Sequence, residues 1–290
     1  MASVNKKEFL LNNTRGAYTA TRTLNRTKVM NWNIHLNRLI ESWIGLSKVV
    51  GNREPAKEFD LDATKTTISA ALGTCLQEYF ASTASLSKNG LTDEATITIL
   101  LLEPSNNLAE LRIHIEFQLD TKPQPCTVAF YGSPRTYPCI KDSQWSRDRK
   151  PLELAAMKPG ISELLLTDTD GNIYEGLTSN FFVVVQDGDG KLAVVTAPVQ
   201  HVLGGTILRN VESVCGRLGI RFRYEFPKVG SVSTWVGAFV TSSLRILVPV
   251  QRIILPNGES VNLGVPECVL DIKKGIMEDA NENATELWEM

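Results

Sequence analysis

The chain has 290 residues, 43% of them hydrophobic and 21% charged, with a formal net charge of −2 at pH 7. That length holds a sizeable core in one domain or two, and the near-neutral balance gives no reason to expect a basic nucleic-acid footprint or a polybasic membrane face. Five scattered cysteines without a C-x-x-C, and three separated histidines (His35, His114, His201), argue against a zinc site, so no metal is expected.

The opening stretch, MASVNKKEFLLNNTRG, has no apolar leader core, and no window approaches membrane-spanning length. With the odd cysteine count this points to a reducing, cytoplasmic setting. Gly16 to Thr23 reads as a strand of alternating aromatic, small and hydroxyl residues, with a turn near Asn25. Ile34, Leu39, Trp43 and Leu46 then recur at helical spacing behind Asn33, the expected N-cap. A second helix fits the stretch from Thr64 to Ser82, and three strands follow: ATITILLLE, LRIHIEFQL and CTVAFYG.

GSPRTYPCIKD is dense in Gly and Pro and reads as a connector. It divides a smaller N-terminal α+β domain, 1–133, from a larger C-terminal one, 134–290. The second half opens with a polar helix and continues through the strands ELLLTD, NIYEG, NFFVVVQD and KLAVVTAP. The helix GGTILRNVESVCGRLG follows, then strands near residues 221–225, 237–242 and 247–253, and an acidic tail expected to be a solvated helix end. Helices are not inserted regularly between strands, which predicts an α+β fold rather than a doubly wound parallel sheet. DTDGNIYEG lacks the ligand spacing of a calcium loop and reads as a hairpin turn with Gly171 at the positive-φ position.

One residue is out of place in this pattern. Glu175 ends the strand NIYEG, and such an acid is seldom buried unless it has a partner. It follows Lys141 by 34 residues, and Asn180 follows it by five. Downstream, TAPVQHVLGGTILRN passes from strand to helix through Gly204 and Gly205, and GAFVTSSLRILVPV ends a strand in hydroxyls.

In this order the segments resemble the fold type IV pyridoxal-phosphate (PLP) enzymes, which include the branched-chain and D-amino-acid aminotransferases and aminodeoxychorismate lyase. The likeness covers nearly the whole chain and is densest from Lys141 to Val185, where Lys141, Gly160, Glu163, Gly171, Glu175 and Asn180 keep the family's spacing. It implies a two-domain fold type IV architecture and an aminotransferase working between an amino acid and a 2-oxo acid, with PLP as cofactor. A homodimer is implied too, and neither nucleic acid nor membrane is expected as a partner.

The resemblance also implies roles. Lys141 would form the Schiff base with PLP and shuttle the substrate's α-proton. Glu175 would face the ring nitrogen, and Asn180 would help position the strand end. Arg38, Ser243 and the backbone N–H groups of Gly205, Thr206 and Ile207 at a helix start would hold the phosphate. Arg22 and Tyr18 on the opening strand, Arg135 in the connector and Arg245 are candidates for binding substrate. Alternation from Ser243 would put Arg245 on the same face, favouring carboxylate-bearing substrates. Taken singly, each of these residues reads as an ordinary surface charge or strand-end hydroxyl, and Lys150 is a rival attachment point. The chain departs from the family at Ser146, where aminotransferases commonly carry a tyrosine. That keeps a lyase, or a binding relic of the fold, as alternatives.

Overall fold

A computed structural model of the chain describes residues 5–50, 60–83, 91–102, 110–119 and 125–290. In chain order its elements begin with α1 (Lys6–Asn12), β1 (Gly16–Leu24), β2 (Lys28–Val29), α2 (Trp32–Val49), α3 (Leu61–Thr83), β3 (Leu91–Leu102), β4 (Leu111–Leu119) and β5 (Cys126–Phe130). There follow α4 (Trp145–Asp148), α5 (Lys150–Ala156), β6 (Glu163–Thr167), β7 (Ile173–Gly176), β8 (Asn180–Gln186), β9 (Leu192–Thr196) and α6 (Thr206–Arg217). The remainder is β10 (Arg221–Tyr224), β11 (Gly237–Ser242), β12 (Ile246–Ile254), β13 (Ser260–Asn262), α7 (Glu267–Glu282) and β14 (Thr285–Glu286). The fold is α+β, as expected. Among the described residues no helix is long and apolar enough to cross a membrane.

The chain forms two compact units. The first comprises Met1–Thr121, Ile140–Arg147 and Ala280–Met290; the second comprises Lys122–Cys139 and Asp148–Asp279. Lys141 therefore belongs to the first unit.

In the first unit the strand order is β14-β2-β1-β3-β4. β1 and β3 pair antiparallel from Gly16↔Leu102 to Arg22↔Thr96. Strand alternation sends Ala17 toward α2 and α3, where it joins a core of Trp32, Leu36, Leu39, Trp43, Ile68, Leu72, Ile97 and Ile99. Tyr18 turns to the other face, against Leu10, Leu100 and Leu102. The turn after β1 puts Asn25 and Arg26 at φ 53° and 59°, the backbone that a tight hairpin requires.

Three details differ from expectation. α2 starts behind Asn31, at φ 50° and ψ 34°, so Asn33 lies inside its first turn. α1 was missed, although Asn5 and Glu8 form a reciprocal capping box at its start. The acidic tail does not end as a solvated helix: beyond Glu282 it returns as β14 and pairs with β2.

In the second unit the strand path is β10-β9-β8-β11-β12-β5-β6-β7, and the pair Glu175↔Asn180 joins β7 back to β8. β8, β11, β12, β5, β6 and β7 thus close into a ring, which removes exposed edges from those strands. One apolar cluster gathers Val128, Leu165, Ile173, Phe181, Val183, Ala238, Val240, Val248 and Val250. The register of β7 against β6 shifts between Thr167↔Ile173 and Leu165↔Gly176, so that Leu166 on β6 faces both Tyr174 and Glu175 on β7. This bulge re-aims the strand. Ile173 stays with the apolar cluster, while Glu175 turns to the opposite face with Asn180.

Candidate active site

In the first unit Lys141 is held through its backbone. Its N–H donates to Ser42 Oγ at 3.0 Å, and its carbonyl accepts from the Tyr18 N–H at 2.9 Å. Gly16 allows β1 to lie close against β3, because a Cβ there would meet the Leu101 carbonyl oxygen at 2.2 Å. The Lys141 ammonium lies 4.9 Å from the centroid of the Tyr18 ring, within cation–π range.

One face of α2 supplies the neighbouring polar groups, since His35, Arg38 and Ser42 follow at helical spacing. Arg38 is buried and donates from Nη2 to Thr19 Oγ1 at 3.0 Å; that hydroxyl is 2.7 Å from His35 Nδ1. The hydroxyl thus bridges the guanidinium and the imidazole. Burial, followed by the charges of Arg38 and Lys141, holds His35 well below the usual histidine range. Burial also lowers Arg38 to about 10, against the opposing pull of Tyr18 and Glu41.

In the second unit Glu175 is 4% exposed. Its Oε2 accepts from the Leu203 N–H at 3.1 Å, and its Oε1 from Arg135 Nη1 at 3.3 Å. Asn180 Nδ2 donates to the Leu203 carbonyl at 2.8 Å, so the two side chains hold the backbone of one residue through its N–H and its C=O. Two residues later Gly205 begins α6, and a Cβ on it would lie 1.9 Å from Asn180 Oδ1. Only glycine fits there. Thr206 and Ile207 are buried at the helix start, and Thr206 Oγ1 is 3.0 Å from Ser243 Oγ. Backbone N–H groups of a first helical turn, with two hydroxyls beside them, suit an anion.

The substrate candidates separate. Tyr18 lies under the Lys141 ammonium, and Arg135 is engaged by Glu175. Arg22 is half-buried on β1, with its Nε buried and without a hydrogen-bond partner. Arg245 donates from Nη2 to Glu163 Oε2 at 2.7 Å, and the same oxygen accepts from Thr178 Oγ1 at 2.7 Å and Ser179 Oγ at 2.9 Å. The alternation argument for Arg245 does not apply, because β11 ends at Ser242 and β12 begins at Ile246, leaving residues 243–245 in the turn. Lys150 opens α5.

Sequence reasoning missed Thr19, His35 and Thr241 as site residues. The first two lie in GAYTATRT and IHLNRL, and Thr241 opens the hydroxyl run of GAFVTSSLRILVPV without being distinguished within it. Thr241 is 1% exposed, stands opposite Asn180 in the β11–β8 ladder, and its Oγ1 has no hydrogen-bond partner. Ser146 is likewise buried with a partnerless Oγ.

Each unit by itself carries groups whose chemistry suits part of a phosphorylated cofactor with a basic ring nitrogen. The first unit offers an amine above an aromatic ring and a buried guanidinium. The second offers a buried carboxylate, a glycine-opened helix start flanked by hydroxyls, and a buried hydroxyl whose hydrogen bond is unmade. Among the described residues, no cluster of three or more His, Cys, Asp or Glu could hold a metal ion.

A family model, amino-transferase class IV, matches residues 16–253. No curated protein sequence matches the chain. Solved structures share its fold at low identity. A hypothetical aminotransferase from Mycobacterium tuberculosis in its PLP-bound form aligns with a TM-score of 0.70 at 15% identity, over 98% of this chain and 95% of that one. The branched-chain amino acid aminotransferase from Escherichia coli aligns with a TM-score of 0.67 at 19% identity, over 94% and 87%. A structure assigned as a 4-amino-4-deoxychorismate lyase from Legionella pneumophila aligns with a TM-score of 0.65 at 13% identity, over 97% and 96%.

Proposed function

Because the chain belongs to the class IV aminotransferase family, we propose that it carries an amino group from an amino acid to a 2-oxo acid, with Lys141 as the attachment point of PLP and Glu175 as the partner of its ring nitrogen. The observation that carries this reading is Glu175 itself: a buried carboxylate turned out of the apolar cluster by a bulge, held by one arginine and one backbone N–H. An anion in such a position compensates a cation, as a protonated ring nitrogen would be.

PLP, when bound, supplies an electron sink conjugated to the substrate's amino group. The protein groups do the rest. Lys141 Nζ would attach the cofactor and, once released, would accept the proton leaving the substrate's α-carbon and hold it for return, in a two-stage, ping-pong exchange. Arg38, Ser243 and the N–H groups of Gly205, Thr206 and Ile207 would hold the phosphate. Asn180 fixes the Leu203 peptide on which Glu175 rests. The assembly proposed is a homodimer, so sedimentation at micromolar concentration should give about twice the 32.0 kDa chain mass.

The test is chemical. Borohydride reduction of the PLP-loaded protein, followed by peptide mass mapping, should place a pyridoxyl group on Lys141. A label on Lys150, or none on loaded protein, would overturn the assignment. A lyase is the second reading, favoured by Ser146 at the position where aminotransferases commonly carry tyrosine. A transferase stops after one turnover without a 2-oxo acid; a lyase does not.

A further inference from the structure

We infer that Thr241 is a further contact residue of the cofactor, its hydroxyl completing its hydrogen bonding only when PLP is bound. The inference rests on the PLP reading above and extends it to a residue outside the set already assigned.

Residues directly opposite in an antiparallel ladder point to the same face, with Cβ atoms about 5 Å apart. Glu175 stands opposite Asn180, and Asn180 stands opposite Thr241. The three side chains therefore form one row across β7, β8 and β11, on the face turned away from the apolar cluster. The ends of the row differ in one respect. Glu175 accepts from the Leu203 N–H and Asn180 donates to the Leu203 carbonyl, whereas Thr241 Oγ1 is buried and has no hydrogen-bond partner.

That is not the rule for threonines in this sheet. Thr196, also buried, donates from Oγ1 to the Phe181 carbonyl at 2.8 Å. A buried hydroxyl left unsatisfied is unfavourable, and valine has the same shape without the deficit. Thr241 also lies two residues before Ser243, whose hydroxyl pairs with Thr206 at the start of α6. A polar group brought into this row by a ligand gives the hydroxyl its partner.

The experiment compares wild type, Thr241→Val and Thr241→Ser, each stripped of cofactor and titrated with PLP while absorbance and thermal unfolding are followed. Thr241→Val should bind PLP about tenfold more weakly, the effect of losing one hydrogen bond. Its cofactor-free form should unfold at or above the wild-type temperature, because the deleted hydroxyl had no partner there. Thr241→Ser should restore affinity. If Thr241→Val binds PLP within twofold of wild type, the inference is wrong while the PLP reading stands. It is equally overturned if the cofactor-free valine variant loses as much stability as the loaded one, since the hydroxyl then has a partner inside the protein. Wild type that takes up no PLP would overturn the parent reading, and this inference with it.

Discussion

The Thr19 hydroxyl joins His35 Nδ1, at 2.7 Å, to Arg38 Nη2, at 3.0 Å, so a buried histidine and a buried arginine are tied together through one side-chain oxygen. Thr19→Val removes that link with little change of volume. With Arg38 assigned to the phosphate, the variant should keep its fold and bind PLP roughly tenfold more weakly, through one lost charge-assisted hydrogen bond. A PLP titration checks this, and unchanged affinity would mean Arg38 is held by other means.

The same triad gives stability a pH dependence. His35 is neutral in the fold, with its protonation pushed well below the usual value by burial and by Arg38 and Lys141. The unfolded chain takes up a proton near pH 6.5 that the folded chain refuses. The contribution is thus complete above that pH and is lost as pH falls, by up to about 1.4 kcal/mol per pH unit. Thermal unfolding between pH 8 and 5 should show a falling midpoint, and His35→Gln should flatten the part below pH 6.5.

Glu175→Gln keeps the shape of the side chain and one acceptor oxygen for Arg135 or Leu203. It should retain PLP and lose turnover by about a hundredfold or more, the scale of a catalytic proton-management group. A variant with wild-type turnover would leave Glu175 as a structural anchor of the Leu203 peptide.

Arg245→Ala tests a role different from the one the sequence suggested. Its removal strips a cation from the buried Glu163 carboxylate and leaves two hydroxyl donors. Because the Arg245 side chain is 35% exposed, the cost should be about 2 kcal/mol, below the range for a fully buried pair. Denaturant unfolding measures it. A shift in KM for a carboxylate-bearing substrate at unchanged stability would restore Arg245 as a substrate reader.

Gly205→Ala places a methyl group 1.9 Å from Asn180 Oδ1. Either α6 or Asn180 must move, at a cost of about 1–3 kcal/mol. PLP content should fall with stability, and full retention of both would show that the helix start is not part of the site.

The lysine, the acid and the asparagine were legible in the sequence because their relations are spacings along one stretch of chain. Arg245 was misread for a definite reason: strand alternation was carried past Ser242 into a turn, where it has no meaning. Thr241 was invisible because a threonine in a β-rich run is an ordinary strand former, and its interest arises from its register with Asn180 sixty-one residues away. The return of Thr285 and Glu286 to β2 has no local signal either, since two residues carry no periodicity.

That return has a consequence for synthesis. β1 and β2 are made early, yet their sheet lacks its edge strand until residue 286 has been added, after every residue of the second unit. On the ribosome the ring of the second unit can close first, with β5 pairing to β12 across more than a hundred residues. The first unit meanwhile waits with one strand edge uncovered. A holding chaperone would find its substrate there, and a change at Thr285 or Glu286 would burden the last step of folding rather than the first.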